Sequence, residues 1–244
     1  MALFIISNSA FAQNYTMPLD GISKVVISAE TTIVVEPNEN PNFLLKASEN
    51  VRDASLRKSK GLKTISTIGS DNTGYGVHVK KEGSLLIVRG LRDRRGANLV
   101  IRLPINTDIS IESLANNEIY VNGLNSEIEA INHQGETVLS NITGPIVTEN
   151  GNGNITITFS NFSDSSPTSI IADNGDIDVS LPIDASAHIS AKTPRGMFYT
   201  DFDIALVGQE TKNNGRVIEG KINNGSVEFS LQNLKGNIYL RQVR

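Results

Sequence analysis

Apolar and polar positions alternate along this chain in short bursts. No window carries apolar residues at i, i+3, i+4 and i+7 for long enough to predict a helix. Val25-Val26-Ile27 and Ile33-Val34-Val35 are β-branched runs on either side of Ala29-Glu30-Thr31, and they predict two paired strands. Phe43-Leu44-Leu45, Val77-His78-Val79, Leu85-Leu86-Ile87-Val88 and Leu99-Val100-Ile101 continue the series. Pro37, Pro41, the stretch from Gly69 to Gly74 and Pro104 punctuate it. Longer runs with proline-marked loops predict an antiparallel β region over residues 13–104. Such a region would cap the open end of whatever follows, because exposed sheet edges invite aggregation.

From Pro104 onward a repeat emerges. Ile109, Ile119, Ile128, Val138, Ile146 and Ile155 open successive short apolar-polar-apolar units, spaced 10, 9, 10, 8 and 9 residues apart. The clearest copies are Gly153-Asn-Ile-Thr-Ile157, Gly175-Asp-Ile-Asp-Val179, Gly225-Ser-Val-Glu-Phe229 and Gly236-Asn-Ile-Tyr-Leu240; residues 158–175 and 192–220 interrupt them. A strand of about four residues sends alternate side chains to opposite faces. Glycine or asparagine then turns the backbone at low steric cost. Asn-Gly pairs begin at residues 122, 150, 152, 174, 214 and 224, close to the corners this pattern requires. Gly175 is expected to hold positive φ at such a corner. No single unit buries enough surface to survive alone, so neighbours must stack. The fold class expected is all-β, with a parallel β-solenoid of short repeats over residues 105–244. The alternative is a β-sandwich, since Asn-Gly is also the favoured hairpin turn.

Three stretches carry a family resemblance. These are Leu99-Val-Ile-Arg-Leu-Pro104, Ile142-Thr-Gly-Pro-Ile146 and Asn174-Gly-Asp-Ile-Asp-Val-Ser-Leu-Pro182, with Gly236-Asn-Ile-Tyr-Leu-Arg241 as a closing repeat. Together they resemble a bacterial β-strand-repeat family of unknown function described as "putative adhesin", similar to the "putative auto-transporter adhesin head GIN domain". The resemblance implies a β-solenoid-like envelope protein without established catalysis, and it brings no catalytic residue with it.

Composition narrows the chemistry. The chain has no Cys, which removes thiol catalysis, disulfides and Cys-ligated zinc. It has no Trp and a net charge of -4, a poor endowment for nucleic-acid binding. Leu3 to Ile6 form an apolar run followed by Ala10-Phe11-Ala12, an Ala-x-Ala cleavage pattern, although no Lys or Arg precedes the run. Residues 1–12 are therefore expected to be a signal peptide, and the protein to be periplasmic, outer-surface-associated or secreted. No stretch reaches the roughly 20 apolar residues of a transmembrane helix.

Candidate chemistry is sparse. Arg92, Arg94 and Arg95, flanked by Arg89 and Arg102, could hold carboxylates, sulfates or phosphates of an acidic glycan. The same stretch also reads as a solvated hairpin tip between the 85–88 and 99–101 strands. Asp176 with Asp178 and Asp201 with Asp203 sit at i and i+2, as a β-helical lyase or glycosidase would place them. They equally form the wet half of the alternation. His78, His133 and His188 are isolated, and no catalytic or phosphate-loop motif occurs. No cofactor or metal is expected. The function expected is an exported, non-enzymatic cell-envelope module that touches a glycan or another cell-surface component. The alternative is a carbohydrate-active enzyme on a β-helix scaffold.

Overall fold

The structure, a computed structural model, describes residues 14–47, 69–91, 98–163, 166–207 and 217–243. The expected signal peptide and Arg92, Arg94 and Arg95 lie outside these residues. Strands make up all of the regular structure among them. The first are β1 (Tyr15–Pro18), β2 (Lys24–Ala29), β3 (Ile33–Pro37) and β4 (Asn42–Ala47). They are followed by β5 (Val77–Glu82), β6 (Leu85–Gly90) and β7 (Leu99–Leu103). The central strands are β8 (Asp108–Asn116), β9 (Ile119–Asn122), β10 (Ile128–Gln134) and β11 (Thr137–Ile142). Next come β12 (Ile146–Asn152), β13 (Ile155–Phe159), β14 (Thr168–Asn174) and β15 (Ile177–Leu181). The last are β16 (Ala187–Lys192), β17 (Phe198–Thr200), β18 (Ala205–Leu206), β19 (Val217–Ile222), β20 (Val227–Asn233) and β21 (Ile238–Gln242).

From β8 to β17 the chain alternates between two sheets, one of 10 strands and one of 11, and neighbouring strands run parallel. This is the β-solenoid, wound with two faces per coil. Ile109 lies beside Ile128 and Ile128 beside Ile146, offsets of 19 and 18 residues, so each spacing near 9 is one face and one corner. Alternation sets the layers. In β13, Ile155, Ile157 and Phe159 point into the core while Thr156 faces water. Phe43, Phe159 and Phe229 are the largest fully buried side chains between the sheets.

The N-terminal region divides by strand. The expected antiparallel pairing holds for β1 on β4, β4 on β7 and β5 on β6. β2 and β3, expected to pair with each other, instead lie in opposite sheets and pair parallel with β6, β8, β7 and β9. Likewise β6 and β7 are not the arms of a hairpin, because β6 lies in the eleven-stranded sheet and β7 in the ten-stranded one. The reason is common to both: a solenoid corner moves the chain between layers, whereas a hairpin turn returns it within one. Both sheets run continuously across residue 104.

Coils do not stack wholly in chain order. The β2–β3 coil sits between β6–β7 and β8–β9, and the β20–β21 coil sits between β14–β15 and β16–β17. Antiparallel strands cover β6 and β7 at one end and β16 at the other.

Two internal devices close one row of corners. The first is a glycine spine. A Cβ on Gly153 would overlap the carbonyl of Gly135, one on Gly175 that of Gly153, and one on Gly236 that of Gly175. Gly135, Gly153 and Gly175 hold φ near +121 to +123°, a conformation open to glycine. The second is a buried asparagine ladder. Asn150 Nδ2 donates to Gly135 O at 3.1 Å and Asn154 O at 3.4 Å, while its Oδ1 accepts from Thr137 Oγ1 at 2.7 Å. Asn132 and Asn233 repeat the pattern, each reaching the carbonyl four residues on and a corner carbonyl of the adjacent coil. Corner carbonyls withdrawn from water need such donors. Asn150→Ala is expected to lower unfolding free energy by about 2–3 kcal/mol in urea titration, because it strands buried acceptors. Asn152→Ala, on the exposed row alongside, should change it by less than about 0.5 kcal/mol.

Candidate interaction surface

The glycine spine leaves a trench along one edge of the solenoid. Where side chains are missing the surface is concave, and a shallow groove of about 350 Å³ follows, lined by Asn116, Gln134, Gly135, Glu136, Asn152, Gly153 and Asn154. Asn116, Gln134, Asn152 and Asn174 stand side by side in one wall, with Asn116 brought opposite Gln134 by a β-bulge in the β8–β10 pairing. Parallel pairing therefore repeats an amide about every 4.8 Å. The ladder is partly self-tied: Asn174 Nδ2 donates to Asn152 Oδ1 at 3.0 Å, and Asn154 Oδ1 accepts from the Asp176 backbone N–H at 2.9 Å. The Asn116 and Gln134 amides make no side-chain hydrogen bond among the described residues, which leaves donors and acceptors free for a ligand. Tyr120 stands outside the groove lining, on the outward face of β9. Burial, then the charges of Glu118 and Glu136, push its hydroxyl pKa up.

A second feature lies at the far end of the ten-stranded sheet. Asp178, Tyr239 and Tyr199 follow one another in a single outward row. The two tyrosine rings stack with centroids 5.2 Å apart and planes 10° from parallel. Arg241 sits 5.1 Å above the Tyr239 ring and grips Asp178 with two bonds, at 2.8 and 3.0 Å. That hydrogen bonding and charge raise the guanidinium pKa.

The remaining candidates separate. Arg102 lies on the ten-stranded sheet and pairs with Glu36 at 2.9 Å, whereas Arg89 lies on the other sheet. Arg102 is also five strands from β15, about 24 Å away, so it cannot join the 176–203 acids in one site. Asp176 Oδ1 accepts from the Asn237 backbone N–H and Asp178 is held by Arg241, so neither carboxylate of that pair is uncommitted. His78 bonds Ser70 O, while His133 and His188 pair with Glu112 and Glu228 on the eleven-stranded sheet. Lys24 bridges Glu127 and Glu129 there at 3.3 and 3.0 Å. Burial pulls the Lys24 pKa down, but hydrogen bonds and charge from Glu129 and Glu127 outweigh it, and the net shift is upward. The Lys24 hydrogen bond holds Glu129 below its ordinary value. Among the described residues no cluster of His, Asp or Glu is arranged to hold a metal ion, and no helix is long and apolar enough to cross a membrane.

Fold and surface together define a two-sheet parallel β-solenoid with a polar groove along one edge. No family model matches the chain, and no curated protein matches it. Among solved structures, the chain is similar to a "putative cell adhesion protein" from Clostridium sporogenes. Identity there is 11% and the TM-score 0.45, over 95% of this chain and 98% of that one. It is also similar to a "putative adhesin" from Bacteroides fragilis, at 10% identity and a TM-score of 0.34, covering 95% and 96% of the two chains. A "putative adhesin" from Parabacteroides merdae follows at 8% identity and 0.27, with the same coverage of 95% and 96%.

Proposed function

We propose that this chain is an exported, non-enzymatic, adhesin-like module of the cell envelope. It touches a glycan or another surface component through many weak contacts along the edge groove. The observation that carries this reading is the row of neighbouring amides Asn116–Gln134–Asn152–Asn174, whose spacing suits a linear polymer lying along the solenoid axis. Repeated weak contacts to one polymer sum through effective concentration, so no single subsite need be strong. The separation of Arg89, Arg102 and the three His residues from the 176–203 acids favours binding over turnover.

The test is sedimentation of labelled residues 13–244 with intact bacteria and with isolated envelope fractions. Wild type should be retained, and Asn116→Ala/Gln134→Ala should be retained about tenfold less, a loss of roughly 1.4 kcal/mol. Absence of retention on every fraction would remove the adhesive role. Release of reducing ends from a panel of acidic polysaccharides would overturn the non-enzymatic one.

A further inference from the structure

We propose that Tyr199 is the stacking platform of a neutral-sugar site at the open end of the ten-stranded sheet. The proposal rests on the surface-contact reading only in its choice of a glycan; its residues lie outside the edge groove. β17 is the last strand of that sheet, while the corresponding end of the other sheet is covered by β19 and β18. One face of the Tyr199 ring is held against Tyr239, and Tyr199 is 49% exposed on the terminal strand. The ring is braced from beneath. Asn237 Nδ2 donates to the Tyr239 hydroxyl at 3.1 Å, and Arg241 packs over the Tyr239 ring while fixed to Asp178. A braced aromatic face loses little freedom when a ligand lands on it.

The surroundings select the ligand. Asp201 and Asp203 are exposed on the loop leaving β17, and Asp201 Oδ1 already accepts from the Gln242 backbone N–H at 2.8 Å. Carboxylates two and four residues beyond Tyr199 accept hydrogen bonds from hydroxyls and repel phosphates, sulfates and uronates. A quaternary ammonium group prefers several aromatic faces around it, and here the cation position over Tyr239 is filled by Arg241. A neutral pyranose satisfies both halves: its C–H face packs on the ring and its equatorial hydroxyls reach the acids.

Because the chain has no Trp, tyrosine emission and aromatic NMR resonances report on the site directly. Cellohexaose, mannohexaose, chitohexaose and hexagalacturonate are titrated into residues 13–244. At least one neutral hexasaccharide should bind saturably. Tyr199→Ala should weaken it about tenfold, Tyr199→Phe should hold within about twofold, and Val147→Ala, exposed on the eleven-stranded sheet, should leave it unchanged. Binding to none of the neutral sugars, equal binding by Tyr199→Ala, or tighter binding of hexagalacturonate would each overturn the proposal. Envelope retention that survives such an outcome would leave the surface-contact reading standing. Tyr199-dependent sugar binding without envelope retention would do the reverse.

Discussion

Gly153→Ala is expected to lower unfolding free energy by about 3–5 kcal/mol, with a Tm about 10 °C lower. Two costs coincide at this position. Its φ of +123° is one that an L side chain rarely adopts. A Cβ there would also overlap the backbone carbonyl of Gly135, which cannot rotate aside because it accepts from Asn150 Nδ2. Gly83 separates the two costs. It holds φ +61° in the tight turn between β5 and β6, and a Cβ on it meets nothing within 4 Å. Gly83→Ala should therefore cost only about 1 kcal/mol, the conformational part alone. Equal losses for the two variants in denaturant unfolding would show that the spine supplies backbone freedom and not close contact between coils.

Ending the chain at residue 216 should do more than shorten the solenoid by its last coil. The β20–β21 coil lies inside the stack, with Phe229, Leu231, Ile238 and Leu240 fully buried. Its removal takes away the parallel partners of both β16 and β17 and, with β19, the antiparallel partner of β16. Hydrogen exchange on the truncated chain should show residues 187–207 unprotected and β14–β15 fraying as a new end. The exposed apolar edge should also promote self-association. Persistent protection at 187–200 would mean that this coil can redock directly on β14–β15, and that the transposed order contributes nothing to closing the end.

The candidate surface was only partly legible. Asn-Gly pairs marked corners between the sheets at 122, 152 and 174 and a turn within the eleven-stranded sheet at 224, but Asn150 belongs to the buried ladder and not to a turn. Nothing local distinguishes it from Asn152, because burial there depends on which coil lies alongside. Phe198, Tyr199 and Phe202 lie close together along the chain. Tyr239 is forty residues away along the chain and meets Tyr199 only through strand register. Of the arginine-rich stretch, Arg92, Arg94 and Arg95 lie outside the described residues, and only the flanks Arg89 and Arg102 are placed, on different sheets.

By itself the sequence determined what is local. Alternation chose strands over helices and the inward side chains of each, and the spacing near 9 chose one face per corner. Those outcomes follow from steric preference and from burial of every second residue, which act within a few residues. Tertiary structure decided the rest: two faces per coil, the transposition of coils at both ends, the asparagine ladder and the stacked tyrosines. Each depends on which strand becomes the neighbour of which. Backbone hydrogen bonds between parallel strands are nearly indifferent to sequence, so only the packing of whole coils could choose.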